Sequence, residues 1–153
     1  MNPEKMPPQL LKKVFEQAER EYPNECCGMI LGPRGKRGEL SRVRPCRNVQ
    51  DVYHQQDPKN FPRPARTAYF IEPKELLAIQ KEARTADEEI RVIYHSHMNA
   101  GAYFSEEDTR VALPEGEPAY PGVDYLVVSV RKGKAVDSNI FRWDGTKKEF
   151  VKL

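Results

Sequence analysis

Apolar residues recur at helical spacing at Leu10, Leu11, Val14, Phe15 and Ala18, which predicts an amphipathic helix over Gln9–Glu21 that Pro23 helps to end. Residues 1–8 carry no such pattern and read as a flexible start. Cys26–Leu31 is a continuous apolar run between Asn24 and Gly32, the signature of a buried strand. Pro33–Gly38 is a turn, and Glu39–Asn48 is the returning strand of a hairpin. Gln50–Ala68 has no periodicity and contains Pro58, Pro62 and Pro64, so it reads as a long loop, followed by a short strand at Tyr69–Ile71. Pro73 suits the first turn of a second helix running to Thr85, with Leu76, Leu77, Ile79, Gln80 and Ala83 as its face.

Ile90–His97 is a strand, and Asn99–Phe104 a loop. Ser105 has the character of a helix cap, with Asp108 three residues later, and Pro114 and Gly116 keep the helix short. Asp124–Val130, Val136–Trp143 and Glu149–Leu153 are the last strands, divided by turns at Lys132–Lys134 and Asp144-Gly145. Helix, hairpin, helix, strand, short helix and antiparallel strands describe an α/β sandwich (α+β) with a mixed sheet, not a doubly wound parallel one. Residues 9–153 are expected to form one domain.

Composition narrows the function. A chain of 153 residues is long enough for one real core. The net charge of +2 is too small to argue for nucleic acid, and no apolar run is long enough to span a membrane. Charge is unevenly placed. Residues 34–66 hold nine Lys/Arg and three Asp/Glu, whereas residues 72–117 hold five and eleven. The two regions face each other, face different partners, or are simply solvated. Three cysteines without C-x-x-C spacing argue against a disulfide framework and a cysteine metal site. With no apolar signal-peptide core in Met1–Leu11, the expected setting is cytoplasmic.

The chemistry concentrates in three segments. In His95-Ser96-His97, residues i and i+2 of a strand point to one face, so both imidazoles project together. Two neutral imidazole nitrogens on one face are half of a tetrahedral zinc shell. Asp108 lies eleven residues after His97 and supplies a third ligand if the short helix packs back on the strand end. Three protein ligands and an open fourth position are the pattern of catalytic zinc, which lowers the pKa of its bound water towards about 7. Glu25 stands at the mouth of a buried strand, where a carboxylate serves either as a general base or as the partner of an arginine.

These residues carry a resemblance. His95-Ser96-His97, seven residues, Ser105, two residues and Asp108 are similar to the signature of the JAMM/MPN+ metalloprotease family. Glu25-Cys26-Cys27-Gly28 resembles the glutamate motif of its bacterial members, and Tyr125–Ser129 resembles a strand of the same fold. Four fixed residues at set spacing arise by chance in about one chain of this length in several thousand. The resemblance runs from Leu10 to Leu153 and implies a cytidine-deaminase-like MPN fold: a mixed, mostly antiparallel sheet flanked by helices. It implies one Zn2+ on His95, His97 and Asp108, Glu25 as general acid/base, Ser105 as donor to an oxyanion, and Ser96 as support between the histidines. The implied activity is that of a metallopeptidase or isopeptidase acting on the C-terminal tail of a ubiquitin-like or sulfur-carrier protein. Met98 departs from the proline common after the second histidine in bacterial members, which bears on loop shape and substrate preference rather than on metal.

Other readings stay open beside this one: a metal-free scaffold of the same fold, or a zinc amidohydrolase acting on a small molecule. Ser105 is a helix cap, an oxyanion donor or both, since a cap uses the oxygen and an oxyanion contact the proton. Cys26 and Cys27 are neighbours on a strand and face opposite sides, so they are expected as core rather than ligands. His54 reads as a surface residue, and Phe141 and Trp143 as packing. The loops Gln50–Ala68 and Pro114–Gly122 are candidates to hold an extended tail, with Arg63 and Arg66 as candidate substrate-binding residues. The sequence gives no oligomeric state.

Overall fold

The computed structural model describes residues 6–153. Helices α1 (Pro8–Glu21), α2 (Gln50–Gln56), α3 (Pro73–Thr85) and α4 (Glu106–Ala112) accompany six strands: β1 (Cys27–Pro33), β2 (Arg42–Cys46), β3 (Glu88–Met98), β4 (Asp124–Arg131), β5 (Lys134–Asp144) and β6 (Glu149–Lys152). The strands form one sheet in the order β2-β1-β3-β4-β5-β6. Only the β3–β4 pair is parallel. Pro45 lies on the edge strand β2, where a missing N–H costs no ladder bond on the open side.

Alternation along the strands divides the core. Val92 and Tyr94 pack with Cys26, Ile30, Leu126 and Val128 beneath α1, whose Leu10, Val14 and Ala18 are buried there. Ile93 points the other way, with Cys27, Met29 and Tyr125, beneath Ile79 and Ala83 of α3 and Ala112 of α4. His95 and His97 share the Ile93 face by the same alternation, so the α3/α4 side carries the chemistry.

Several elements differ from the sequence reading, each for a local reason. A seven-residue helix, α2, opens the segment expected as loop. It has no apolar stripe, and its stabilisation comes from outside. Gln50 N donates to Asn48 Oδ1, Gln50 Nε2 to the Arg63 carbonyl, and Tyr53 Oη to Glu72. Tyr53, Phe61 and Phe70 pack with ring centroids 4.9–5.0 Å apart and close the segment on itself. Tyr69–Ile71 is not a strand: Phe70 spends its N–H on Asn48 Oδ1 and its carbonyl on Val49 N instead of a ladder. On α3 the buried stripe is Ile79 and Ala83 with Leu76 half-buried, while Leu77 is 66% exposed and Gln80 also faces out. Of the residues expected to form a flexible start, 1–5 lie outside the described residues, but Met6 is buried in the α1 core and Pro8 already belongs to α1.

The basic and acidic regions face each other. Arg44 pairs with Glu75 and Glu82, Arg42 with Glu88, Arg34 with Asp87 and Arg63 with Glu107. Such partly exposed pairs add little stability each, but the Arg42, Arg44 and Arg34 pairs register β2 and the β1–β2 turn against α3 and β3.

Gly28 shows why that position admits no side chain. A Cβ there would lie 2.1 Å from Tyr94 Oη and 2.3 Å from Cζ, inside the α1 face of the core. Tyr94 is fully buried, and its hydroxyl donates to Gln17 Oε1 while Gln17 Nε2 donates to the Cys27 carbonyl. Gly28→Ala is therefore expected to cost about 3 kcal/mol or more in urea unfolding, by overpacking. A loss under about 0.5 kcal/mol would show that the ring moves aside freely.

Candidate metal and catalytic site

β3 delivers His95 and His97 to one face, and α4 returns Asp108 to them. His95 Nε2 lies 3.2 Å from His97 Nε2 and 3.0 Å from Asp108 Oδ1, and His97 Nε2 lies 3.1 Å from Asp108 Oδ2. All three residues are buried. Without an ion, two imidazole nitrogens facing each other beside a carboxylate require a proton held between them. With one, the spacing is natural: ligands at 2.0–2.1 Å in a tetrahedron sit about 3.3 Å apart. The donor set therefore fits a divalent cation.

The surroundings hold this set. His97 Nδ1 lies 3.0 Å from the Gly101 carbonyl, which makes Nδ1 the protonated nitrogen and leaves the Nε2 lone pair for an ion. The Gly101 loop is itself tied down, by Ser129 Oγ to the Ala100 carbonyl and by Asn139 Nδ2 to the Ala102 carbonyl. Tyr69 stacks on His95 at 4.8 Å, and Tyr103, 55% exposed, lies edge-on to His97 at 5.0 Å. Sequence reasoning missed Tyr69, Gly101, Tyr103 and Asn139 as parts of this environment. Nothing local marks them, because their roles arise from chain crossings. Met98 packs against the α1 core, and Asn99, at φ 55°, makes the turn after it.

Ser105 caps α4 as its spacing predicted. Its Oγ accepts from Asp108 N at 3.0 Å, and Asp108 Oδ2 accepts from Ser105 N at 2.9 Å. The capping box thus orients the carboxylate that meets the histidines. Burial alone would raise the Asp108 carboxyl. The charge and hydrogen bond of His95, with hydrogen bonds from His97 and Ser105 N, override it and hold the group well below the usual carboxylate range. The Ser105 hydroxyl proton is not spent in the cap.

Glu25 precedes β1 and is only 5% exposed. The backbone around it is fixed at three points. Glu25 N donates to the Ala65 carbonyl, Asn48 Nδ2 donates to the Glu25 carbonyl, and Cys26 N donates to Ser96 Oγ. Asn48 was not foreseen. Its side chain also bonds Ala68, Gln50 and Phe70, so one residue closes the 48–70 segment around Glu25. Ser96 lies on the opposite face of β3 from the histidines, as expected, and acts on the Glu25 side of the site by holding Cys26. Ser96→Ala leaves the buried Cys26 N–H without that acceptor and is expected to cost about 1–3 kcal/mol in thermal or urea unfolding. An unchanged midpoint would mean another acceptor replaces it.

Glu25 Oε1 is buried without a hydrogen-bond partner among the described residues. Burial first, then the nearby carboxylates of Asp108 and Glu107, push its carboxyl up to about 9, against the pull of Arg63. Among the described residues Glu25 makes no close ion pair, the alternative open from sequence. Arg63 approaches from the 50–68 segment and Arg66 is exposed on it. Cys26 and Cys27 face opposite cores, all three thiols are free, and burial drives each upward, Cys26 and Cys46 to about 12. His54 is half-buried, with Nδ1 at the Phe61 carbonyl, outside the ligand group. Beside His95, past Tyr69, an apolar cavity of about 130 Å³ opens to the surface among Tyr69, Leu76, Ile93, Val111 and Tyr125. No helix among the described residues is long and apolar enough to cross a membrane.

The chain is 30% identical over 122 residues to the CysO-cysteine peptidase of Mycobacterium tuberculosis, covering 80% of this chain and 70% of that protein. A relative of the same name from Mycobacterium bovis matches equally. Solution structures of proteins from Desulfitobacterium hafniense and Salinibacter ruber share the fold, with TM-scores of 0.66 and 0.65 and 22% identity each. They cover 95% and 96% of this chain and 86% of each neighbour. The model of prokaryotic homologues of the JAB domain matches residues 7–144, a span that takes in Glu25, both histidines, Ser105 and Asp108, and the chain belongs to that family.

Proposed function

We propose that this chain is a zinc-dependent peptidase or isopeptidase that cleaves an amide bond at the C-terminal tail of a ubiquitin-like sulfur-carrier protein. The observation that carries the reading is the convergence of His95, His97 and Asp108 beside a buried Glu25 whose Oε1 has no hydrogen-bond partner among the described residues. The name of the mycobacterial relatives supports the substrate class. The three buried free thiols suit a reducing, cytoplasmic setting.

The two Nε2 nitrogens and the Asp108 carboxylate would hold the ion. When bound, zinc supplies Lewis-acid polarisation of the scissile carbonyl and makes water acidic enough to ionise near neutral pH. Glu25 takes a proton from the attacking water and gives it to the departing nitrogen, so the C–N bond is replaced by a carboxylate and a free amine. Burial and the neighbouring Asp108 carboxylate raise the Glu25 carboxyl, the direction that strengthens it as a proton acceptor and lets it keep the proton until the nitrogen departs. The Ser105 hydroxyl, with its oxygen engaged in the cap, donates its proton towards the developing oxyanion.

The test is incubation of the zinc-loaded protein with sulfur-carrier proteins extended beyond their terminal Gly-Gly, read by mass spectrometry. Release of the extension, leaving a free Gly-Gly terminus, supports the reading. Intact substrates alongside hydrolysis of small amides would instead favour the small-molecule amidohydrolase.

A further inference from the structure

Arg63 is a half-exposed guanidinium whose position is set by the backbone that holds Glu25. Its own carbonyl accepts from Gln50 Nε2 at 2.8 Å. Two residues on, Ala65 N donates to Asp51 Oδ1 at 2.6 Å and the Ala65 carbonyl accepts Glu25 N at 2.8 Å. Among the charges that act on the Glu25 carboxyl, Arg63 is the cation, and Asp108 and Glu107 are the anions.

The guanidinium is weakly engaged. Its Nε lies 3.8 Å from Glu107 Oε2, and Nη1 lies 3.5 Å from the Thr67 carbonyl, both at the outer limit of contact. Glu107 has a closer partner in Arg110, whose Nε and Nη2 reach its two oxygens at 3.1 and 2.5 Å. A planar cation with five N–H donors, two of them loosely used and the side chain 48% exposed, is matched in geometry and charge to a carboxylate.

We propose that Arg63 forms a subsite for the α-carboxylate of the leaving amino acid, so that the enzyme removes a single C-terminal residue rather than cutting within a chain. This rests on the peptidase reading above. Glu25 returns its proton to the departing nitrogen, so the leaving group lies on the Glu25 side of the site. An α-carboxylate is two bonds from that nitrogen in a released terminal residue and is absent when the chain continues. A cation registered to Glu25 through Ala65 therefore distinguishes the two. Glu107 disfavours an anion here, and Arg110 places a second cation against its carboxylate.

The test uses two substrates: a carrier protein whose Gly-Gly terminus is extended by one amino acid with a free carboxylate, and the same protein ending in a carboxamide. The zinc-loaded wild type is expected to favour the acid by about 10-fold or more in kcat/KM, mainly through KM. Arg63→Gln should lose that preference by reducing kcat/KM on the acid about 10-fold more than on the carboxamide, and Arg63→Lys should keep part of it. Equal loss on both substrates would make Arg63 a structural strap to α4 or a modulator of Glu25, and an unchanged preference would also overturn the proposal.

Binding of the same two proteins to zinc-loaded Glu25→Gln separates this idea from the peptidase reading. Tighter binding of the acid that disappears in Glu25→Gln/Arg63→Gln supports the subsite, and equal binding overturns it. If binding discriminates but the wild type cleaves neither substrate, Arg63 binds a terminal carboxylate, and the peptidase reading fails together with the leaving-group role built on it.

Discussion

Glu25→Gln is expected to lower turnover by about 10²- to 10⁴-fold while the metal stays bound, because on the proposed reading it removes a proton carrier and no ligand. The same substitution makes the metal-free protein more stable at neutral pH, an outcome that a mere loss of function would not produce. The folded-state Glu25 carboxyl is raised to about 9 from an ordinary value of 4.5. Between those values the folded chain retains a proton that the unfolded chain has released, so stability is fully present below about pH 4.5 and falls as pH rises towards 9. Glutamine has no such titration. Metal-free Glu25→Gln should therefore unfold about 1–3 kcal/mol later than wild type near pH 7, with the difference shrinking below pH 5. Urea unfolding at pH 5.5, 7 and 8.5 measures this, and parallel wild-type and variant profiles would show that Glu25 is charged and satisfied in the fold.

His97→Ala is expected to lose the metal. It removes one of the three proposed ligands and frees the Gly101 carbonyl, leaving Tyr103 without the ring it packs against. Zinc affinity should fall by more than about 100-fold, beyond what the loss of a supporting hydrogen bond costs, and hydrolysis should vanish with it. His54→Ala is the internal control. It removes another imidazole, lies outside the ligand group, and should leave zinc content unchanged. Equal zinc in wild type and His97→Ala after dialysis would rule out His97 as a ligand.

The part of the site legible in the sequence is the part encoded by short-range geometry. Strand alternation placed His95 and His97 on one face, and the Ser105–Asp108 spacing announced the capping box. The core residues of α1, the limits of α3 and the opposed faces of Cys26 and Cys27 followed from the same periodicities. What stayed hidden depends on segments meeting. α2 has no amphipathic pattern and is held by Asn48, Arg63 and Glu72, so no window of its own sequence could reveal it. Asn48 looks like a strand-end residue until its side chain is seen bonding four backbone groups. Leu77 reads as core because it is apolar, yet it lies one position off the stripe that faces the sheet.

Glu25 is an intermediate case. Its motif marked it, but its physical state, buried without a hydrogen-bond partner for Oε1, came only with the fold. The same holds for the charged regions, whose opposite signs were evident in sequence and whose pairing was not.

The account rests on His95, His97 and Asp108 holding one zinc ion. Titration of the metal-free protein with Zn2+ against a chromophoric chelator tests it most directly. The expected result is one tight equivalent in the wild type and in Glu25→Gln, and none in His97→Ala. No uptake by the wild type, or a tight equivalent that survives the loss of His97, would contradict it.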